Sequence, residues 1–285
     1  MVNNSKIKAA AKDVLLAPLY LNQGHKVKRD TVRLPEPDVE RAGHIKLTPN
    51  LDEGHSSAKS AAAHSDATKQ TLSLMIVGDS AAAGVGTLTQ QEALAGRLIP
   101  ALQQQPFITA HFDEIIWTLQ ATTGHTSFDI LRRLYILPTP SQPVDVMVLS
   151  VGANDTTANV SEGKWQQQLE QIIAIAKRKF GVRELIFSSL PPMARMPALP
   201  KPLNGFVGAK SDRLDQILQQ VCAAHNDVHY MPADFERLAQ EHSNGVPIEA
   251  KAMFASDGFH PSSLTYRFWA QQLSELISQL LKARC

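Results

Sequence analysis

A chain of 285 residues with 44% hydrophobic content is long enough to bury one sizeable core and to carry a modest appendage. Its 28 Lys and Arg against 27 Asp and Glu leave a formal charge of +1, with no sustained basic stripe, which removes the electrostatic case for nucleic acid. Two cysteines, Cys222 and Cys285, are too few for a disulfide framework or a cysteine metal centre and point to a reducing compartment.

The first apolar run, Val14-Leu15-Leu16-Ala17-Pro18-Leu19-Tyr20-Leu21, is too short to span a bilayer and lacks the length and cleavage site of a signal peptide. It is expected to be an amphipathic arm that docks on the domain or against a membrane surface. Residues 22–50 are polar and interrupted by Pro35, Pro37 and Pro49, and residues 52–70 have little apolar bulk. Residues 1–71 are therefore expected to form an N-terminal arm and polar linker, with the folded domain at 72–285. The cytoplasm is the expected location, with peripheral membrane association through the arm as a variant.

From Leu72 onward two periodicities alternate. Strands are expected at 72–77, 113–120, 144–151, 184–190 and 228–231, from short runs rich in β-branched and aliphatic residues. Helices are expected at 90–104, 126–136, 161–180, 206–225, 233–242 and 262–283. Trp165, Leu169, Ile172 and Ile173 recur at helical spacing and read as core rather than as a binding platform. Alternating strands and helices imply a parallel sheet covered on both faces, an α/β fold.

In such folds chemistry collects just beyond the carboxyl ends of the strands. The strand at 72–77 runs into Gly78-Asp79-Ser80, so Ser80 is a candidate nucleophile. Its plainer reading is a cap for the next helix. A serine nucleophile needs a base, an orienter for the base, and donors for an oxyanion. Ser256-Asp257-Gly258-Phe259-His260-Pro261 supplies His260 as base, with Asp257 three residues before it as orienter. Asn154, in Val151-Gly152-Ala153-Asn154-Asp155, follows the most apolar strand, and its side-chain amide carries two donors. Asp155 is expected to brace the loop. Gly124, in Thr122-Thr123-Gly124-His125-Thr126, follows the second strand, where a glycine lets a backbone N–H approach a ligand closely. Taken singly, Asn154 and Gly124 also read as ordinary turn chemistry. No Gly-Lys-Ser/Thr is present for a phosphate loop, and no histidine spacing suits a metal.

Four strand-end motifs in the order Ser, Gly, Asn, Asp-x-x-His resemble the SGNH hydrolase (GDSL esterase/lipase) family. Gly78-Asp79-Ser80 with Gly84 matches its first block and Gly124 with Thr126 its second. Gly152-Ala153-Asn154-Asp155 matches the third, and Asp257-Gly258-Phe259-His260-Pro261 the fourth. The resemblance covers about residues 72–282 and implies a flavodoxin-like three-layer α/β/α fold with a parallel five-stranded sheet. It also implies Ser80 as nucleophile, His260 as general base and then acid, and Asp257 as its orienter. The oxyanion hole is then the N–H of Ser80, the N–H of Gly124 and the amide of Asn154. Thr123-Gly124-His125 stands where the family usually has Ser-Gly-Asp. Ala82 replaces the second glycine of a Gly-x-Ser-x-Gly elbow, which argues against an α/β-hydrolase proper.

The resulting expectation is a serine esterase acting on short-chain acyl or aryl esters, with no metal or cofactor and with a small-molecule ester as partner. A carbohydrate O-deacetylase, a lysophospholipase or thioesterase, an acyltransferase, and a catalytically silent binding domain are the competing readings. The proline-rich stretch 191–202 is expected to wall the site. Because a histidine base must be neutral, activity is expected to fall below a pH of about 6–7.

Overall fold

The computed structural model describes residues 4–38, 40–47, 70–233 and 248–284, with side chains described from residue 11 onward. Nearly all of the expected linker at 52–70 and of the expected helix at 233–242 lies outside the described residues. Elsewhere the alternating pattern becomes a three-layer α/β/α sandwich. Its parallel sheet is formed by β2 (Gln70–Gly78), β3 (Phe112–Ala121), β4 (Val146–Ser150), β5 (Glu184–Ser188) and β6 (Val228–Met231).

β2 shows why both faces are covered. Leu72, Leu74 and Ile76 point into one core, and Met75 and Val77 into the other. The period of two of a strand forces that split. On the first face lie α3 (Leu94–Gln103) and α9 (Ser263–Arg284), which supply Leu94, Leu98, Trp269 and Leu273. The short α4 (Pro106–His111) adds Ile108 to the same core. On the second face lie α5 (Ser127–Ile136), α7 (Glu162–Phe180) and α8 (Leu203–Ala223), with Ile130, Trp165, Ile172 and Leu218. Trp165 is fully buried and its indole N–H donates to the Leu214 carbonyl at 2.9 Å. Cys222 is buried in the same core, and burial pushes its thiol up to about 12, which makes it unreactive.

The sheet has six strands rather than the five implied by the family resemblance. The extra strand, β1 (Ala42–Lys46), comes from a stretch whose sequence is polar and aperiodic, and it pairs antiparallel with β3. The strand order is β1-β3-β2-β4-β5-β6. A strand of five residues at a sheet edge needs little apolar content, so its hydrophobic signal is weak. Gly43 faces Trp117 across this pair, and a Cβ there would overlap the indole ring. Before it, α1 (Asn4–Asp30) extends well beyond the apolar run at 14–21. Tyr20 stacks on Phe206 with ring centroids 4.6 Å apart. The Gln23 amide donates to the Lys201 carbonyl at 2.9 Å, so α1 docks at the start of α8. Val14 and Leu15 on its outer side face solvent. No helix among the described residues is long and apolar enough to cross a membrane.

Candidate active site

β2 lies between β3 and β4, and its crossover to β3 leaves in the opposite direction from the chain's later course through β4. This is the switch point at which doubly wound sheets open a crevice. The chain segments after β2, β3 and β4 carry Ser80, Gly124 and Asn154. These three motifs, far apart in sequence, are neighbours because their strands are adjacent.

Ser80 opens α2 (Ser80–Ala83), a single helical turn. Asp79, not Ser80, is its N-cap: the Asp79 carboxylate accepts from the Ala81 N–H at 3.1 Å. The Ser80 hydroxyl is thereby left free of capping duty. Its N–H is one of the first-turn donors that a helix leaves without an internal partner.

His260 approaches from the far end of the chain. The Asp257 Oδ1 accepts from the N–H groups of Phe259 and His260, both at 3.0 Å, which closes a tight turn. Its Oδ2 lies 2.5 Å from His260 Nδ1, and His260 Nε2 lies 2.9 Å from Ser80 Oγ. A carboxylate can only accept, so the proton sits on Nδ1 and Nε2 is left as acceptor for the hydroxyl. The Asp257 side chain is 2% exposed and that of His260 24%. Burial pushes the Asp257 carboxyl up, but the bonds from the imidazole and the two backbone N–H groups outweigh it and hold the group below the ordinary carboxylate value.

The next helix fixes this turn in place. In α9 the Tyr266 hydroxyl donates to the Val85 carbonyl at 2.8 Å, just past the helix that carries Ser80. Trp269 Nε1 donates to Ser188 Oγ at 3.0 Å. The helix after His260 is thus tied to the segment after Ser80. On its other side, the Ala198 N–H of the proline-rich stretch donates to the Gly258 carbonyl at 3.3 Å. A cavity of about 290 Å³ lies on the Asp257 side of this turn, between Ala198, Phe254 and Gly258; neither Ser80 nor His260 lines it.

Asn154 sits in α6 (Ala153–Thr157), where its Nδ2 donates to the His125 carbonyl at 3.0 Å and faces Asp79 Oδ2 at 3.5 Å. Gly124 has φ +84°, and nothing lies within 4 Å of where a Cβ would stand. Asp155 is fully buried and accepts from the N–H and hydroxyl of Ser127, at 3.0 and 2.5 Å. It therefore braces the start of α5 against α6, and with it the loop of Gly124 against Asn154.

Asp79 is the hub that sequence reasoning missed. It is 2% exposed and accepts from Ala81, faces Asn154, and takes the Ser150 hydroxyl at 3.4 Å. Burial pushes its carboxyl up to about 6, against the pull of the Ala81 N–H. The available signal was its residue type, since aspartate directly before a one-turn helix is a strong N-cap. Among the described residues no group of three or more His, Cys, Asp or Glu is arranged to hold a metal ion.

The fold is that of the three-layer α/β/α hydrolases. The GDSL-like lipase/acylhydrolase family matches residues 76–268, about two thirds of the chain, and the protein belongs to that family of ester hydrolases. The GDSL-like esterase Rv1075c of Mycobacterium tuberculosis is 26% identical over 200 residues, covering 70% of this chain. The chain spans 60% of the length of that curated relative. Among solved structures, the lipase/acylhydrolase of Enterococcus faecalis aligns with a TM-score of 0.51 at 21% identity, covering 74% of this chain and 96% of that one. The acetylxylan esterase Axe2 of Geobacillus stearothermophilus aligns with a TM-score of 0.51 at 16% identity, covering 73% and 95%. At such identities the structural likeness concerns the fold.

Proposed function

We propose that the protein is a serine esterase that hydrolyses carboxylic esters through an acyl-enzyme, with Ser80, His260 and Asp257 as its relay. The observation that carries this reading is the chain of contacts at 2.9 and 2.5 Å from Ser80 Oγ through His260 to Asp257. Ser80 attacks the carbonyl carbon as His260 Nε2 takes its proton, and Asp257 holds the imidazolium that forms. The tetrahedral oxyanion is met by the N–H groups of Ser80 and Gly124 and by the Asn154 amide, whose second N–H is held only by the 3.5 Å contact to Asp79. The proton on His260 then leaves with the alcohol. Water repeats the sequence on the acyl group and releases the acid.

Short acyl or aryl groups are the proposed substrates. The stiff proline-rich stretch, whose Ala198 N–H donates to the Gly258 carbonyl of the His260 turn, supports this: the cavity that it walls on that side holds only about 290 Å³. The scarcity of cysteine supports a cytoplasmic setting within the same reading.

A p-nitrophenyl ester series from acetate to palmitate, together with labelling by a fluorophosphonate, tests the proposal. Hydrolysis is expected to fall with chain length. Ser80→Ala is expected to lose the label and at least about 10³-fold in kcat. Equal labelling of both proteins would remove Ser80 as nucleophile. Activity on acetylated sugars alone would redirect the reading to a carbohydrate deacetylase.

A further inference from the structure

The part of the chain that lies before the family match reaches the active-site rim. Pro37 is buried, and its Cγ would stand 3.1 Å from a Cβ on Gly84, the residue that closes the helix carrying Ser80. One residue earlier, Glu36 Oε1 accepts from both the N–H and the hydroxyl of Thr123, each at 2.7 Å. Its other oxygen pairs with Arg41 at 2.5 Å, and Arg41 donates to the Ala121 carbonyl at 2.5 Å. A single carboxylate thus grips the loop between β3 and α5 directly and, through a guanidinium, the last residue of β3. Thr123 and Gly124 are exposed, and Gly124 sits at positive φ. A glycine in such a loop has many conformations to lose, so an outside anchor is what keeps one of them populated.

We propose that Glu36 is a positioning residue for ester hydrolysis: its carboxylate holds Thr123 so that the neighbouring Gly124 N–H stays aimed at the oxyanion. This rests on the reading of Gly124 as an oxyanion donor. Glu36 and Pro37 then work as a strap, with Pro37 touching the nucleophile's helix and Glu36 the donor loop. The anchoring bonds are charge-assisted, and the Glu36 side chain is about three-quarters shielded. Misplacing a catalytic group by about 1 Å costs about 10²-fold in rate, so a loosened loop acts on kcat.

The test compares the full-length wild type with Glu36→Ala and Glu36→Gln in two measurements. Glutamine keeps an oxygen for Thr123 and gives up the charge and the acceptor that faces Arg41. In steady-state hydrolysis of p-nitrophenyl acetate, Glu36→Ala is expected to lower kcat about 10-fold or more with KM changed less than about 2-fold, and Glu36→Gln to recover most of that loss. In amide hydrogen exchange, residues 121–127 are expected to exchange faster in Glu36→Ala while the amides of β4 and β5 keep their wild-type rates. Wild-type kcat in Glu36→Ala, or unchanged exchange in the loop, would overturn the proposal. So would equal loss in both variants, or faster exchange throughout the sheet, since either marks a merely structural role. Should the wild type itself hydrolyse no ester, the esterase reading falls separately, and the exchange comparison still decides whether Glu36 orders the loop.

Discussion

Asp79 caps a helix, and in doing so it is buried where a carboxylate is costly. Its pKa rises from the ordinary 3.8 to about 6. Between those values the folded state binds more protons than the unfolded one, so this group's contribution to stability declines as pH rises from about 4 to about 6 and stays lower above. At about 1.4 kcal/mol per unit the span is about 3 kcal/mol. Asp79→Asn keeps a cap acceptor and removes the titration. Its stability relative to wild type, from urea unfolding at about pH 4 and about pH 7, is expected to improve by up to about 3 kcal/mol across that range; an equal difference at both pH values would refute the assignment. Two glycines separate function from stability. Gly124→Ala meets open space but a left-handed backbone, so a loss of kcat is expected with a cost of only about 1–2 kcal/mol. Gly152→Ala has φ +120° and also drives its methyl to within 2.7 Å of the Leu190 side chain, so thermal unfolding should place it well below Gly124→Ala.

At the level of elements, the donor loops are joined to one another as well as to the sheet. Asp155 in α6 satisfies the first N–H of α5, and Asn154 beside it donates to the His125 carbonyl. Asp155→Ala leaves the buried Ser127 N–H without its acceptor, at a cost of about 1–3 kcal/mol. It is expected to lower both Tm and kcat, measured by calorimetry and ester hydrolysis, whereas Asn154→Ala should cost about 10²–10³ in kcat with little change in Tm. These elements were legible because Leu169, Ile172, Ile173 and Ala176 keep a helical period over α7, and Met147 to Leu149 form an uninterrupted apolar core strand. β1 was not legible. Ala42-Gly43-His44-Ile45-Lys46 alternates between exposed and half-buried, and what makes it a strand is the open edge of β3.

For the whole molecule, the division at residue 71 stays a proposal, and β1 sharpens its test. A chain of residues 72–285 is expected to unfold cooperatively but at a Tm lowered by several degrees and with poorer solubility. Removing β1 uncovers the backbone of β3 from Glu114 to Thr118 and the ring of Trp117, which invites edge pairing. A non-cooperative transition would make residues before 72 part of the domain itself.

The candidate residues Ser80, Gly124, Asn154, Asp257 and His260 could be picked out along the chain because side-chain type and turn chemistry are local properties. Their meeting could not. Ser80 and His260 are 180 positions apart, and only the strand order, with β2 between β3 and β4, and the tie from Tyr266 to Val85 bring them within 2.9 Å. Glu36 and Arg41 stand in polar sequence that carries no periodic signal, and they gain a role through long-range contacts with the loop after β3. Local pattern determines which residues can do chemistry, because it depends on nearest neighbours. Which of them share a site depends on packing free energy summed over the whole sheet, and tertiary structure alone decides it.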